Sequence, residues 1–236
     1  MFKMKFEAQE LPFDQFKQIG FDRDRVLKLP SVELSALLSG RRTSLIHIKE
    51  IQVEGGGVIP DLDVKLSLGR NPDGAAVLRY HPVLNEPPNV FNLSAEEMED
   101  LVQNRRDTLE KEFTWSNGRR ENFLVQYDPE TREFVGKPIS DIVLPRQINN
   151  ITLTEGQRED WCHGRTVEVG GEKIRLDLRN VLGFSGKAST FVLDNGLKIS
   201  VAGLLQEVEK YQKQAPGRGE KPSAPKHSQQ NRGPHR

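Results

Sequence analysis

Apolar positions in the first forty residues recur at helical spacing. Phe13, Phe16 and Ile19 are three apart, and Gly20 closes that turn. Asp22 is placed to cap a second helix carrying Val26, Leu27 and Leu29, which Pro30 interrupts. Ser31 reads as the cap of a third, with Val32, Leu34, Leu37 and Leu38 as its buried stripe. From Leu45 the period shortens to two. Ile46 and Ile48 share a face, and Glu54-Gly55-Gly56-Gly57 reads as a turn. Leu62, Val64, Leu66 and Leu68 then alternate with Asp61, Asp63, Lys65 and Ser67, which predicts a long half-buried strand with the polar set facing water. A proline-glycine turn, Arg70-Asn71-Pro72-Asp73-Gly74, leads into a third strand from Ala75 to His81. Pro82, Pro87 and Pro88 mark a linker.

A similar pattern starts again at Leu93. Ser94 and Glu97 form a capping box, and Met98, Leu101 and Val102 supply the apolar side of the helix. Strands over 108–115 and 119–127 meet at Asn117-Gly118, a two-residue hairpin signal, and 132–135 follows the turn at Asp128-Pro129. Ile139 to Leu144 reads as a short edge strand between Pro138 and Pro145. At Leu153 the pattern returns, with Thr154 and Gln157 in the capping-box places. Hairpins turn at Gly170-Gly171 and at Asp194-Asn195-Gly196. Leu204, Leu205, Val208 and Tyr211 form a closing amphipathic helix.

The helix ends repeat too. Leu37-Leu38-Ser39-Gly40-Arg41, Leu101-Val102-Gln103-Asn104-Arg105 and Trp161-Cys162-His163-Gly164-Arg165 share two apolar residues, a polar residue, a Gly or Asn anchor and an arginine. The anchors are 104 − 40 = 64 and 164 − 104 = 60 residues apart. Glycine and asparagine are the residues that end helices in the left-handed conformation. Helices and hairpins are segregated and no βαβ crossover appears, so the fold class is α+β. The expected organisation is 1–85 as N-terminal helices with a three-stranded antiparallel sheet, 90–145 as a helix-hairpin unit, 150–213 as a second such unit with the closing helix, and 214–236 as a tail.

Charge changes the picture at that tail. The chain holds 34 basic and 34 acidic residues. From residue 213 onward six cations (Lys213, Arg218, Lys221, Lys226, Arg232, Arg236) face Glu220 alone, 6 − 1 = +5, which leaves about −5 on the body. The tail has no apolar periodicity and is expected to be disordered. An acidic body repels nucleic acid in general, so such binding would be local or carried by the tail. One cysteine, Cys162, excludes an intramolecular disulfide and a cysteine-based zinc site, and suggests a reducing, cytoplasmic setting. The first six residues lack the apolar core of a signal peptide, and no run approaches the length of a membrane span.

Several stretches resemble a known family. They are Leu11-Pro12-Phe13-Asp14-Gln15-Phe16, Gly20-Phe21-Asp22, the run from Leu37 to Ile46, Asp63-Val64-Lys65-Leu66-Ser67-Leu68, and Arg70-Asn71-Pro72-Asp73-Gly74. The family is one of the domain-of-unknown-function families encoded by conjugative transposons of gut anaerobic bacteria. Asn150-Ile151-Thr152-Leu153-Thr154 through Gly164-Arg165, with Val167-Glu168-Val169-Gly170-Gly171, resembles a companion family from the same elements. That companion also occurs in tandem and attached to type IA topoisomerases. The resemblance implies a setting of DNA mobilisation; it carries no catalytic residues.

Candidate chemistry is sparse. Cys162-His163 invites a nucleophile, but Cys162 falls where Leu38 and Val102 fall, which reads as a small core residue beside an exposed slot. Gly183-Phe184-Ser185-Gly186-Lys187-Ala188-Ser189 has the wrong spacing for a phosphate loop. The acidic groups Glu96, Glu97, Glu99 and Asp100, and Asp61 with Asp63, read as a favourable first helical turn and a solvent face. The histidines are scattered, so no metal, cofactor or catalytic set is expected. Trp115, Phe123, Tyr127 and Trp161 could stack bases but read better as core. The candidate phosphate or partner contacts are Arg41, Arg42, Arg105, Arg106 and Arg165, with Lys221, Lys226, Arg232 and Arg236 in the tail. For the anchor arginines the plainer reading is favoured: cations beside helix C-termini.

The expected function is a non-enzymatic accessory protein of a mobile genetic element. It would be a binding module for a DNA-processing protein (a topoisomerase or relaxase-type complex) or for DNA. The alternative is a hydrolase-like enzyme, in an element's counter-defence, whose site is assembled from scattered polar residues. Shallow surfaces would favour the module, and one pocket of converging ionisable groups the enzyme.

Overall fold

The computed structural model describes residues 4–52 and 57–214, apart from the side chains of Glu50 and Gln52. The expectations for the tail, including Lys221, Lys226, Arg232 and Arg236, lie outside the described residues.

The fold is α+β. Helices α1 (Phe13–Gln18), α2 (Arg23–Leu27) and α3 (Ser31–Leu38) precede an antiparallel sheet of β1 (Ile46–Gln52), β2 (Val58–Arg70) and β3 (Ala76–Pro82), in that order. Phe16, Val26, Leu34 and Leu37 of the helices share one core with Ile48, Val64, Leu66 and Leu68 of the sheet. Asp22 caps α2 by accepting from the Arg25 backbone N–H at 2.7 Å. Ser31 is not a cap: Pro30 holds that place and Ser31 is the first helical residue. The predicted alternation along β2 fails at its C-terminal half. Residues 64–68 are buried on both faces, including Lys65 and Ser67, because the second unit covers the face expected to meet water.

The second unit consists of α4 (Ala95–Val102) and the meander β4 (Leu109–Thr114), β5 (Arg120–Asp128) and β6 (Glu133–Pro138). The expected strand over 139–144 is instead a 3-10 turn, Ile139–Asp141, with extended chain after it. Pro138 fixes the entry to that turn and the pairing moves past Pro145. There the third unit begins: β7 (Pro145–Ile148) and β8 (Ile151–Thr152) precede α5 (Glu155–Cys162) and the meander β9 (Val167–Val169), β10 (Glu172–Leu176) and β11 (Phe184–Ser185). The hairpin β12 (Thr190–Leu193) and β13 (Lys198–Ser200) pairs with β7, giving a sheet ordered β13-β12-β7-β8.

Strand β5 is the hinge of the packing. Phe123 and Val125 point into the core under α4, while Leu124 points into the core built on Trp161, Phe191 and Ile174. The final helix α6 (Val201–Gln214) follows the third unit in sequence but packs on the first. Val208 sits in the first core, and the Gln212 amide donates to the carbonyls of Leu27 at 2.8 Å and Leu29 at 2.7 Å.

Three hairpins share one turn. Asn71 with Ala75, Trp115 with Arg119 and Leu193 with Leu197 close three-residue loops whose last residue, Gly74, Gly118 or Gly196, has φ of 77–82°. Asn117-Gly118 is therefore not a two-residue turn: the left-handed glycine ends a three-residue loop.

Candidate anion-binding site

The three helix ends are built alike. Gly40, Asn104 and Gly164 all lie in the left-handed region, with φ of 67°, 55° and 67°. Each donates its N–H to the residue three back (Leu37, Leu101, Trp161), and the following arginine donates its N–H to the residue five back (Ala36, Asp100, Asp160). This satisfies helix carbonyls that would otherwise face no donor. Both capping boxes, Ser94 with Glu97 and Thr154 with Gln157, are formed.

The side chains that follow the anchors diverge. Arg105 Nε donates to Asp100 at 2.7 Å, and Arg165 Nε donates to Asp160 at 2.6 Å. Arg106 also reaches Asp100, at 3.1 Å. In the first copy the equivalent of Asp100 and Asp160 is Ala36, fully buried, so no acid stands five residues before Arg41. Its Nε donates instead to the Val181 carbonyl of the third unit at 2.9 Å. Burial lowers the Arg41 guanidinium to about 10, which leaves it charged at neutral pH.

Arg41 and Arg42 thereby line a pocket of about 400 Å³ between the first two units, with Gly183 and Leu178 of the third at its margin. Four further groups that can carry positive charge enter it: Lys5, Arg79 and His81 from the first unit and Lys137 from β6. Glu133 is the acid in the lining. Arg42 holds it at 2.7 Å. Lys5, Arg79 and Lys137 make no ion pair with a described residue. Burial lowers the Lys137 ammonium from its ordinary value, and the charges of Lys5 and Arg41 add to this against the opposing Asp141. Val90 and Phe91 form an apolar lip, with the Phe91 ring laid on Gly136 so closely that a Cβ there would lie 2.3 Å from it.

Beneath the pocket runs a polar network that joins the units. Lys65, with 1 % of its side chain exposed, donates to Asp128 at 2.8 Å and pairs with Glu130 at 2.7 Å. Arg42 adds a longer contact to Asp128 at 3.7 Å. Arg179 grips Asp177 through two nitrogens and donates to the Tyr127 carbonyl. Ser67 Oγ lies 2.9 Å from His81 Nε2, whose Nδ1 is 3.8 Å from Glu133. Burial lowers the His81 pKa, and this outweighs the neighbouring Glu133. Burial raises the pKa of Glu133, but His81 and the Arg42 charge oppose it and hold the carboxyl at about 2. The His81 separation is that of an ion pair, so the 2.7 Å Arg42 contact is the firmer anchor.

Arg106 and Arg165 meet at a second hollow, beside Asp107, Glu110 and His163, where acids and bases balance. Arg105 lines neither pocket. A larger hollow beside α2 is open to solvent and mixes Asp22, Asp24 and Glu33 with Arg25 and Lys28. Cys162 is half-buried rather than core, as is expected at the rim of a two-turn helix, and burial first, then Glu110, raises its thiol pKa. Ser39, at the slot read as exposed, is buried. Trp161 is core, whereas Trp115 is 42 % exposed at its hairpin, beneath Arg119. Among the described residues no group of three His, Cys, Asp or Glu could hold a metal ion, and no helix is long and apolar enough to cross a membrane.

Sequence reasoning missed Lys5, Arg79 and Lys137, which come from three separate stretches of the chain and meet only in the fold. One signal was legible: the absent acid five residues before Arg41. Comparison with curated proteins and with solved structures gives no match. The first unit, which carries Arg41, Arg42, Arg79 and His81 of the pocket, does have a relative: residues 6–91 match the family described as "Protein of unknown function (DUF4099)".

Proposed function

We propose that this chain is a non-enzymatic accessory protein of a mobile genetic element, acting in the cytoplasm as a binding module of the DNA-processing machinery. The pocket between the first two units receives an anionic group of its partner. A protein of that machinery, a topoisomerase or relaxase-type complex, is the favoured partner, and the basic segment after Gln214 offers a separate contact for DNA. One observation supports this reading above others: Lys5, Arg79 and Lys137 line, with Arg41 and Arg42, one pocket whose lining holds a single acid, Glu133, already engaged by Arg42. The resemblance to families beside topoisomerases supports the setting.

A second reading, a hydrolase-like enzyme, rests on the Ser67–His81–Glu133 line. Lowered His81 and Glu133 would give a neutral base and an ionised acid at neutral pH. Against it, Ser67 lies within β2 with 7 % of its surface exposed, and Glu133 sits 2.7 Å from Arg42 but 3.8 Å from His81. A fluorophosphonate probe separates the two: covalent labelling of Ser67 in the native chain would favour the enzyme. For the module, the native chain and an Arg79→Glu/Lys137→Glu variant are compared for capture of a purified topoisomerase and relaxase from the element. Capture by the native chain and its loss in the variant are expected. Equal capture by both would move the contact elsewhere.

A further inference from the structure

The pocket at Arg41 gathers basic side chains from separate parts of the chain. Like charges confined together repel, and at partly buried positions water screens them poorly. Lys137 registers that repulsion directly, through Lys5 and Arg41. Arg42 is neutralised by Glu133, whereas Lys5, Arg79 and Lys137 make no ion pair with a described residue, Asp141 opposing the repulsion at Lys137. Lys5 and Arg79 are exposed and Lys137 is half-buried, and all three line one volume of about 400 Å³.

The charge count selects the ligand. One carboxylate would offset a single cation of the set. A phosphate monoester carries about −1.5 to −2 at neutral pH and presents three acceptor oxygens. A diphosphate carries more. Arginine forks meet such oxygens in pairs, and lysines serve as point charges beside them. The apolar lip of Val90 and Phe91 adjoins the charged floor, and Val90 is 54 % exposed. That arrangement suits a ligand with an apolar or aromatic body next to its phosphate.

We propose that Lys5, Arg41, Arg79 and Lys137 form a phosphate-binding site, which takes the terminal phosphate or diphosphate of a nucleotide with its body against Val90 and Phe91. The phosphate can come from a free nucleotide or from the 5′ end of a DNA strand, and both present the same group to the pocket. This inference rests on the reading of the pocket as a receptor for an anion, and it names that anion.

The test uses the full chain and titration calorimetry at low and moderate salt. The probes are pyrophosphate, ADP, a 5′-phosphorylated hexanucleotide, its 5′-hydroxyl counterpart and a hexaglutamate peptide. ADP or the phosphorylated strand is expected to bind at one site per chain, more tightly than the 5′-hydroxyl strand and the peptide. Lys5→Gln/Lys137→Gln should weaken that binding by about tenfold or more, since each loses a charge-assisted contact. The same variant should melt no lower than the native chain, because it relieves repulsion. Tighter ADP than strand binding assigns the site to free nucleotides, and the reverse order to strand ends; both support it. Absence of binding by every phosphorylated probe, unchanged binding in the variant, or equal binding of the peptide would overturn it. If the probes fail while partner capture still depends on Arg79 and Lys137, the phosphate assignment falls and the module stands. If the probes bind and the partner is indifferent, the module reading falls and the phosphate site stands.

Discussion

Lys65→Met tests whether the buried network holds the units together. Lys65 Nζ lies 2.8 Å from Asp128, 2.7 Å from Glu130 and 3.4 Å from the Arg179 carbonyl, so its three protons each have a destination. Both Lys65 and Asp128 have 1 % of the side chain exposed. Removing one partner of such a pair costs about 3–5 kcal/mol, because the other charge stays buried. Two contacts remain to Asp128: the Glu130 backbone N–H at 3.1 Å and Arg42 at 3.7 Å. They place the expected loss near the low end, about 3 kcal/mol. Methionine fills the aliphatic volume, so little of the loss is a cavity. In Lys65→Met/Asp128→Asn no uncompensated buried carboxylate is left, Glu130 being open to water, and the double variant should lie about 1–2 kcal/mol above the sum of the singles. Urea unfolding followed by circular dichroism and by the fluorescence of the buried Trp161 measures all four corners of this cycle. Single losses below about 1 kcal/mol, or strict additivity, would refute the assignment of Lys65 as the tie between units.

Other outcomes follow from the same contacts. Acid should destabilise the chain. His81, lowered by burial, contributes stability that fades as pH falls below its ordinary value of 6.5; Glu133, held at about 2, contributes stability present above 4.5 and lost as pH falls from there toward 2. The Glu133 share is at most about 3 kcal/mol by linkage, and Glu133→Gln should flatten the lower limb of stability against pH. Gly164→Ala should cost about 2 kcal/mol or more, since φ is 67° and the new Cβ would meet Thr108 at 2.7 Å; Gly20→Ala, with φ of 76° but open space, should cost about 1 kcal/mol, and thermal melts rank the two. Cys162 should label slowly with a thiol reagent at neutral pH, and Cys162→Ala should cost about 1 kcal/mol; fast labelling would contradict the raised thiol. Removing the residues after Gln214 should abolish most of the salt-sensitive DNA binding measured by filter retention, and unchanged binding would return attention to the body.

The local chemistry of the fold was legible because it is set by a few residues each. Gly40, Asn104 and Gly164 could be read as helix ends, and the two capping boxes as helix starts, from residue type and spacing alone. What failed depended on neighbours distant in sequence. Lys65 and Ser67 have the pattern of a solvent face, yet Asp128, 63 residues on, buries one of them. Ile139–Asp141 has strand composition but pairs with nothing, because the partner strand β12 meets the chain only beyond Pro145. Trp115 alternates correctly with Phe113, but its strand runs past the edge of the core. The pocket was hidden for the same reason: Lys5, Arg79 and Lys137 belong to no common motif.

Arg41 shows how a repeat can expose a departure from it. In the second and third copies an aspartate five residues back holds the anchor arginine at 2.7 and 2.6 Å, on exposed surface where such a pair contributes little. The first copy has Ala36 there, and Ala36 is in the core, so an acid at that position would itself be buried without water. The same backbone turn therefore carries Arg41 to another unit, where its Nε donates to the Val181 carbonyl. From 12.5 to about 10, burial disfavours the charged Arg41 by about 3 kcal/mol, yet the group stays ionised at neutral pH. The Val181 carbonyl offsets part of that as a neutral acceptor. A helix end needs no buried charge to terminate, as Asn104 with its surface Arg105 demonstrates. Ending the helix therefore does not require the arginine at 41, which stands instead in the wall of the pocket between the units.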